Sequence, residues 1–254
     1  MTVCAVGTTH PLAFAGLAFS MLALAADGVR PVCVVAGVSA QDAERVRARE
    51  AVSPHAIAEQ FASLRDAGVA AFHVGALVSA EAVRAVADGV ARYPGVPVVV
   101  DPVLAASGGD ALAGPAAVEA LRERLLPRAT VVTPNLAEAA ALLEMRVVDA
   151  ATMEDAALRL VALGAHAALV KGGHLAGEAV DVLAAGGTLR RYGATRLPHS
   201  LRGTGDLLAA TLAAELARGS ALETAVVRAR ERVRRAIAAG VPFAGSRVAP
   251  LPFG

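Results

Sequence analysis

The sequence predicts an α/β fold, with a mostly parallel central sheet and helices against both of its faces. Three observations predict it. Short β-branched runs alternate with longer stretches rich in Ala, Leu, Arg and Glu along the chain. The run at 97–100 (PVVV) is apolar throughout, as a strand covered on both faces must be. The composition is 56% hydrophobic but only 3% aromatic, with no Trp, so small side chains must fill close helix–sheet layers.

The elements follow in order. Residues 2–6 read as a strand. Residues 11–26 read as the helix after it. That run is nearly all apolar and ends in Ala-Leu-Ala-Ala-Asp, like a signal-peptide cleavage site. The first ten residues carry no Lys or Arg, however, and the run is short for a membrane span, so a buried helix is expected. Residues 31–36 (PVCVVA) form the second strand. Residues 54–66 place Ile57, Phe61 and Leu64 near helical spacing and predict a helix. A strand at 71–74, a helix at 80–93 and a strand at 97–100 continue the alternation. Then come a helix at 115–126, a strand at 130–133, helices at 136–143 and 152–163, and a strand at 167–170. Residues 180–184 and 189–192, joined by Gly186-Gly187, read as an antiparallel hairpin. Helices at 204–218 and 221–239 close the fold. The tail after Gly240 is rich in Pro and Gly and is expected to be irregular. No repeat or interdomain linker interrupts the 254 residues, so one domain is expected over 1–254.

Charge and cysteine content narrow the function. The formal net charge is +1, from 24 Lys and Arg against 23 Asp and Glu, which provides no field for nucleic acid. Arg45, Arg47 and Arg49 alternate, and read as a solvated strand face, or as a lure for a substrate phosphate if that flap closes over a site. Cys4 and Cys33 lie in apolar runs without a Cys-x-x-Cys pattern. They are expected to be free buried thiols of a cytoplasmic protein, with no membrane partner.

Four short motifs carry chemistry. Arg202-Gly203-Thr204-Gly205-Asp206 is a glycine-rich turn opening an apolar helix. Backbone N–H groups and the helix dipole there can hold an anion. Asp206 can cap the helix, or take a proton from a substrate hydroxyl. Thr133-Pro134-Asn135-Leu136-Ala137-Glu138 follows a strand. Asn135 and Glu138 share a helix face and can organise a hydrated Mg²⁺, or form a capping box. Lys171-Gly172-Gly173-His174 follows a strand, where Lys171 can contact nucleotide phosphate or belong to a surface turn. No proton transfer is assigned to His174. Asp101-Pro102 also ends a strand, where Asp101 can hold Mg²⁺ through water or stiffen a turn. Each motif ends a strand or begins a helix, so one sheet edge can gather all four.

Together, GTGD, TPNLAEAAALL, DPVLAASGGDAL and ALVKGGHLAGEAVDVL resemble the ribokinase-like kinases. The last three, with AGVSAQDAERV and HVGALVSAEAV, resemble the hydroxymethylpyrimidine and phosphomethylpyrimidine kinases, over about residues 36–215. The resemblance implies a ribokinase-like three-layer α/β/α sandwich and an ATP- and Mg²⁺-dependent kinase of thiamine synthesis. Its acceptor would be a small pyrimidine or pyridine alcohol, and relatives are commonly homodimers. It implies that Gln41 reads the pyrimidine edge, with Gly7, Gly75 and Ala76 on the acceptor side. It puts Asp101, Asn135 and Glu138 at the Mg²⁺–phosphate positions and Lys171 and Gly172 at the nucleotide. Gly203, Thr204 and Gly205 match the anion hole, and Asp206 matches the catalytic base.

This chain departs from the family on the acceptor side. Asp206 stands where these kinases usually carry Cys, and an Asp there is what ribokinases and pyridoxal kinases show. Residues 7–14 (GTTHPLAF) replace a Gly-Ser-Asp and Gly-rich loop. Ser20 falls where an acidic residue is expected, Ala76 where Met is frequent, and Arg202 where His precedes the glycines. Residues 245–252 replace a His/Gly-rich ending. A pyridoxal-type kinase and a non-catalytic pyrimidine-binding relative are the alternatives.

Overall fold

A computed structural model describes residues 1–173 and 179–250. His174 and the last residues of the tail lie outside the described residues. The strands are β1 (Thr2–Thr9), β2 (Arg30–Gln41), β3 (Val46–Ala51), β4 (Val69–Val74), β5 (Val98–Val100), β6 (Val131–Val132), β7 (Ala167–Gly172), β8 (Ala179–Ala185) and β9 (Thr188–Ala194). Among the described residues these nine form one sheet in the order β3-β2-β1-β4-β5-β6-β7-β8-β9. The six from β2 to β7 in that order pair in parallel. β3, β8 and β9 join antiparallel at the two edges.

The helices are α1 (Gly16–Ala26), α2 (Pro54–Ser63), α3 (Ala80–Val90), α4 (Pro115–Ala120), α5 (Leu136–Leu143), α6 (Ala150–Ala162), α7 (Thr204–Ala217) and α8 (Leu222–Ala239). Several start where side chains satisfy the free N–H groups of a first turn. Ser53 and Ser79 accept from Ala56 and Ala82, and Asp149 and Thr152 form a capping box.

The strand period of two divides the core. Phe72, Val74, Val100, Val132 and Val170 pack on one face, against α2, α3, α5 and α6. Ala71, Val99, Val131 and Leu169 point the other way, toward α1, α7 and α8. The result is a three-layer α/β/α sandwich. Cys4 belongs to the first layer and Cys33 packs against the second, so both thiols are free and lie on opposite faces of the sheet. α7 is buried along nearly its whole length, from Asp206 to Glu215, and its Ala-rich surface lets it lie close on the sheet.

Some boundaries differ from expectation. The helix expected from 11 begins at Gly16, because Ala13 and Gly16 take positive φ (50° and 68°) and break the run into a loop. The strand expected at 31–36 runs on to Gln41 and turns back as β3, making a flap that carries the arginine stripe. The helix at 115–126 is α-helical only to Ala120, then widens to a π-turn at Leu121–Leu125 and tightens to a 3₁₀ turn at Leu126–Arg128 around Pro127. The tail is not irregular: β10 (Val241–Phe243) and β11 (Ser246–Val248) form a small antiparallel hairpin. α1 packs beneath the sheet beside α7, and among the described residues no helix is long and apolar enough to cross a membrane.

Candidate active site

The parallel strands deliver their carboxyl ends to one edge, and the first turn of α7 arrives there from the second layer. Asp101 follows β5 and is 1% exposed. Its Oδ1 accepts from Lys171 Nζ at 2.7 Å and from Thr133 Oγ1 at 2.9 Å. Lys171, at the end of β7, is thereby held inward; burial alone would lower its pKa, but the carboxylates of Asp101, Glu138 and Asp206 outweigh that and raise it. Beside them Asn135 and Lys171 pair as an isolated parallel bridge.

Asn135 and Glu138 form a reciprocal capping box at the start of α5. Asn135 Oδ1 accepts from the Glu138 N–H at 2.9 Å, and Glu138 Oε2 accepts from the Asn135 N–H at 2.7 Å. The cap does not exclude a second role. Glu138 is buried, and burial raises its carboxyl pKa against the pull of Lys171, with Asp101 and Asp206 also close enough to be felt.

Asp206 sits in the first turn of α7, 8% exposed. Its Oδ2 accepts the backbone N–H of Gly16 at 3.0 Å. Burial, with the nearby Asp101 charge, pushes its carboxyl up to about 6. Two glycines let the turn approach. Gly203 has φ 77°, and a Cβ there would lie 2.5 Å from the Phe14 carbonyl oxygen. A Cβ on Gly205 would lie 2.9 Å from Asp101 Oδ2 and 3.3 Å from Lys171 Nζ. Asp101, Lys171, Glu138, Asn135, Gly205 and Asp206 therefore converge, as the motif placement predicts.

The residues expected on the acceptor side divide. Gly7, Gly75 and Ala76 lie together at the ends of β1 and β4. A Cβ on Gly7 would meet Ala76 at 3.6 Å, and one on Gly75 would meet Asp206 Oδ1 at 3.7 Å. The Ala76 carbonyl accepts from Thr8 Oγ1 at 2.9 Å. Gln41 stands apart on the flap, half-buried, its Oε1 accepting from Ser39 Oγ. Ser20 is buried in α1, where its hydroxyl donates to the Gly16 carbonyl. In the stripe, Arg47 pairs with Asp42 and Arg49 donates to the Ala111 carbonyl, so both already serve the flap. Gly172 donates its N–H to Asp181 and packs against the Val180 carbonyl, a structural reason for glycine at that position.

The chain matches the model of the phosphomethylpyrimidine kinase family over residues 12–251. The chain belongs to the phosphomethylpyrimidine kinase family. Curated members of that family agree with the match. A hydroxymethylpyrimidine/phosphomethylpyrimidine kinase of Streptomyces coelicolor is 40% identical over 94% of this chain and 89% of its own length. That of Rhizobium meliloti is 43% identical over 89% of this chain and 86% of its own. An ADP complex of Bacillus subtilis pyridoxal kinase superposes with a TM-score of 0.88 at 28% identity, over 98% of this chain and 96% of that one. This phosphomethylpyrimidine kinase family member is thus a phosphotransferase with the ribokinase-like fold.

Three contributors escape sequence reasoning. Thr133 anchors Asp101 through its hydroxyl, and Gly16 anchors Asp206 through its backbone. His73 on β4 is 1% exposed, and among the described residues neither ring nitrogen is hydrogen-bonded. Its Nε2 would lie 3.9 Å from a Cβ on Gly75, on the side where Asp206 stands. Thr133 and His73 do carry a signal: each is a polar residue at or near the end of an otherwise apolar strand.

Proposed function

We propose that the protein transfers the γ-phosphoryl group of ATP to the hydroxymethyl oxygen of 4-amino-5-hydroxymethyl-2-methylpyrimidine, or to the phosphate already carried there, in thiamine synthesis. The observation that carries the reading is the buried Asp206 carboxylate, set beside the Asp101–Lys171 pair at the N-terminus of α7.

The acceptor oxygen attacks the γ-phosphorus, and when that oxygen is the hydroxymethyl hydroxyl its proton passes to Asp206; an ionised phosphate acceptor has none to give. The bond from that phosphorus to the bridging oxygen breaks, and ADP departs. N–H groups in the first turn of α7 have no partners within the helix and face the growing negative charge. Lys171, Gly172, Asn135 and Glu138 belong to the nucleotide side. Gly7, Gly75 and Ala76 border the acceptor, and Gln41 meets the ring when the flap covers it. Most of the rate gain is positioning and charge stabilisation.

Among the described residues no three His, Cys, Asp or Glu side chains gather into a self-sufficient metal site. The donor set suits Mg²⁺, which keeps most of its waters. Among the described residues Asp101 Oδ2 and Glu138 Oε1 accept no hydrogen bond, and they would hold those waters. Bound with the triphosphate, Mg²⁺ supplies charge neutralisation. The functional unit is proposed to be a homodimer.

A pyridoxal-type kinase is the second reading, favoured by Asp206 in the place of Cys and by the likeness to the B. subtilis enzyme. ADP release under Mg-ATP, measured across hydroxymethylpyrimidine, its monophosphate and the vitamin B6 alcohols, decides between them. Turnover of the pyrimidines supports the first reading. Turnover of pyridoxal alone replaces it with the second, and pyrimidine binding without ADP release makes the protein a non-catalytic relative.

A further inference from the structure

Arg202 immediately precedes the phosphate-binding turn, and its surroundings differ from those of Lys171, Arg230 and Arg232. Among the described residues its guanidinium makes neutral contacts only. Nη2 donates to the Ala43 carbonyl at the flap tip, and Nε donates to Ser246 Oγ in the C-terminal hairpin at 3.1 Å. The guanidinium carbon stands 5.6 Å from the centre of the Phe14 ring. Its backbone N–H is tied to the Arg247 carbonyl at 3.0 Å. No carboxylate pairs with it among the described residues, whereas Lys171, Arg230 and Arg232 each face an Asp.

A half-buried guanidinium with neutral partners has lost hydration without gaining a counter-charge. Among the described residues Nη1 donates to no partner. Its position says which anion suits it. Gly203, the next residue, packs against the Phe14 carbonyl and the Phe19 ring, and the Phe14 ring lies under the guanidinium. Arg202 therefore contacts the flap and the N-terminal loop, whereas Lys171 and Asp101 crowd the turn at Gly205. The donor triphosphate belongs with Lys171. The anion left for Arg202 is one carried by the acceptor.

We infer that Arg202 is a specificity-determining residue that binds the phosphate of an already phosphorylated pyrimidine acceptor, and favours that acceptor over the free alcohol. The inference rests on the pyrimidine-kinase reading above and deepens it. A planar guanidinium meets two phosphate oxygens at once, which no single ammonium can do. Because the same side chain holds the flap tip, a bound phosphate would also fix the flap over the ring.

The test uses the full-length protein with Arg202→Gln and Arg202→Lys. Binding of the pyrimidine monophosphate and of the free alcohol is measured by calorimetry, and ADP release is followed with each. One lost charge-assisted contact weakens monophosphate binding and its kcat/KM by about 10- to 100-fold in the Gln variant. The Lys variant should lose less, and the free alcohol should change by no more than about threefold. Equal losses on both acceptors would make Arg202 a latch of the flap and overturn the inference. Unchanged monophosphate binding, or a wild-type protein that binds the alcohol but not the monophosphate, would overturn it too. ADP release from the free alcohol by wild type tests the pyrimidine-kinase reading separately, since the inference concerns only the difference between acceptors.

Discussion

The carboxylate of Asp206 accepts a hydrogen bond from the backbone N–H of Gly16, 190 positions earlier in the chain, at 3.0 Å. Gly16 is the first residue of α1, and Asp206 lies in the first turn of α7. Two helix N-termini therefore meet at one carboxylate, and their dipoles favour its charged form while burial opposes it. The group is held by backbone, so its aim is independent of any neighbouring rotamer.

Replacing the carboxylate tests its role directly. Asp206→Asn keeps shape and most hydrogen bonding but cannot accept the proton. Turnover should fall by on the order of 10²–10⁴, with ADP affinity nearly unchanged by calorimetry. Near-normal ADP release would remove Asp206 from the mechanism.

Gly205→Ala separates activity from stability. In a helix interior Ala gains about 1 kcal/mol over Gly. Here the new methyl would press on Asp101 Oδ2, which Lys171 and Thr133 hold through its partner oxygen. The expected outcome is a melting temperature within a few degrees of wild type and turnover reduced by more than about tenfold, since small misplacements at a reacting centre are costly. Full activity would show that the Asp101–Lys171 pair yields freely.

Lys171→Met leaves Asp101 buried without its cation. The pair is close and enclosed, with side chains 17% and 2% exposed. Breaking a buried pair from one side costs about 3–5 kcal/mol, to be read by urea unfolding. Adding Asp101→Asn to the same chain should restore part of the loss. Additive losses in the double variant would show that the two side chains are not energetically coupled.

His73 gives a pH signature. Burial lowers its pKa from 6.5 to about 4, with Asp101 pulling up and Lys171 down. Between those values the unfolded chain holds the proton and the folded chain does not, so this residue's contribution to stability falls as pH falls from about 6.5 to about 4. The full span is on the order of 3 kcal/mol. Asp206 and Glu138, raised by burial, take up protons in the folded state as pH falls and offset it. The comparison must therefore be with His73→Leu. The variant's stability relative to wild type should rise as pH is lowered from 7 to 4.5, measured by denaturant unfolding. A pH-independent difference would mean that His73 is not held neutral.

The layers were readable because the buried strands are continuous apolar runs and the helices carry caps such as Ser53, Ser79 and Asn135. Asp101, Asn135, Glu138, Lys171 and Asp206 were readable because each ends a strand or opens a helix of a parallel sheet. The tail hairpin was not. Its strands are short, and its turn rests on Ala244 and Gly245 at positive φ, without an Asn-Gly or Asp-Gly signal. The break before Gly16 hid in an unbroken apolar run, and the Gly16–Asp206 bond left no trace because its donor is an amide every residue shares. Capping and ligand geometry also use one pattern of side chains, so Asn135 and Glu138 read alike for both until a lysine is seen beside them.

The burial of α7 along nearly its whole length has a consequence for how such a protein acquires new acceptors. Its close packing on the sheet and on α1 and α8 fixes the backbone that carries Asp206. On the proposed reading, a change of acceptor comes from rewriting the loop at 7–16 and the flap at 37–51 around a fixed anvil. Diversification in this architecture is a matter of recutting the mould around an immovable tool.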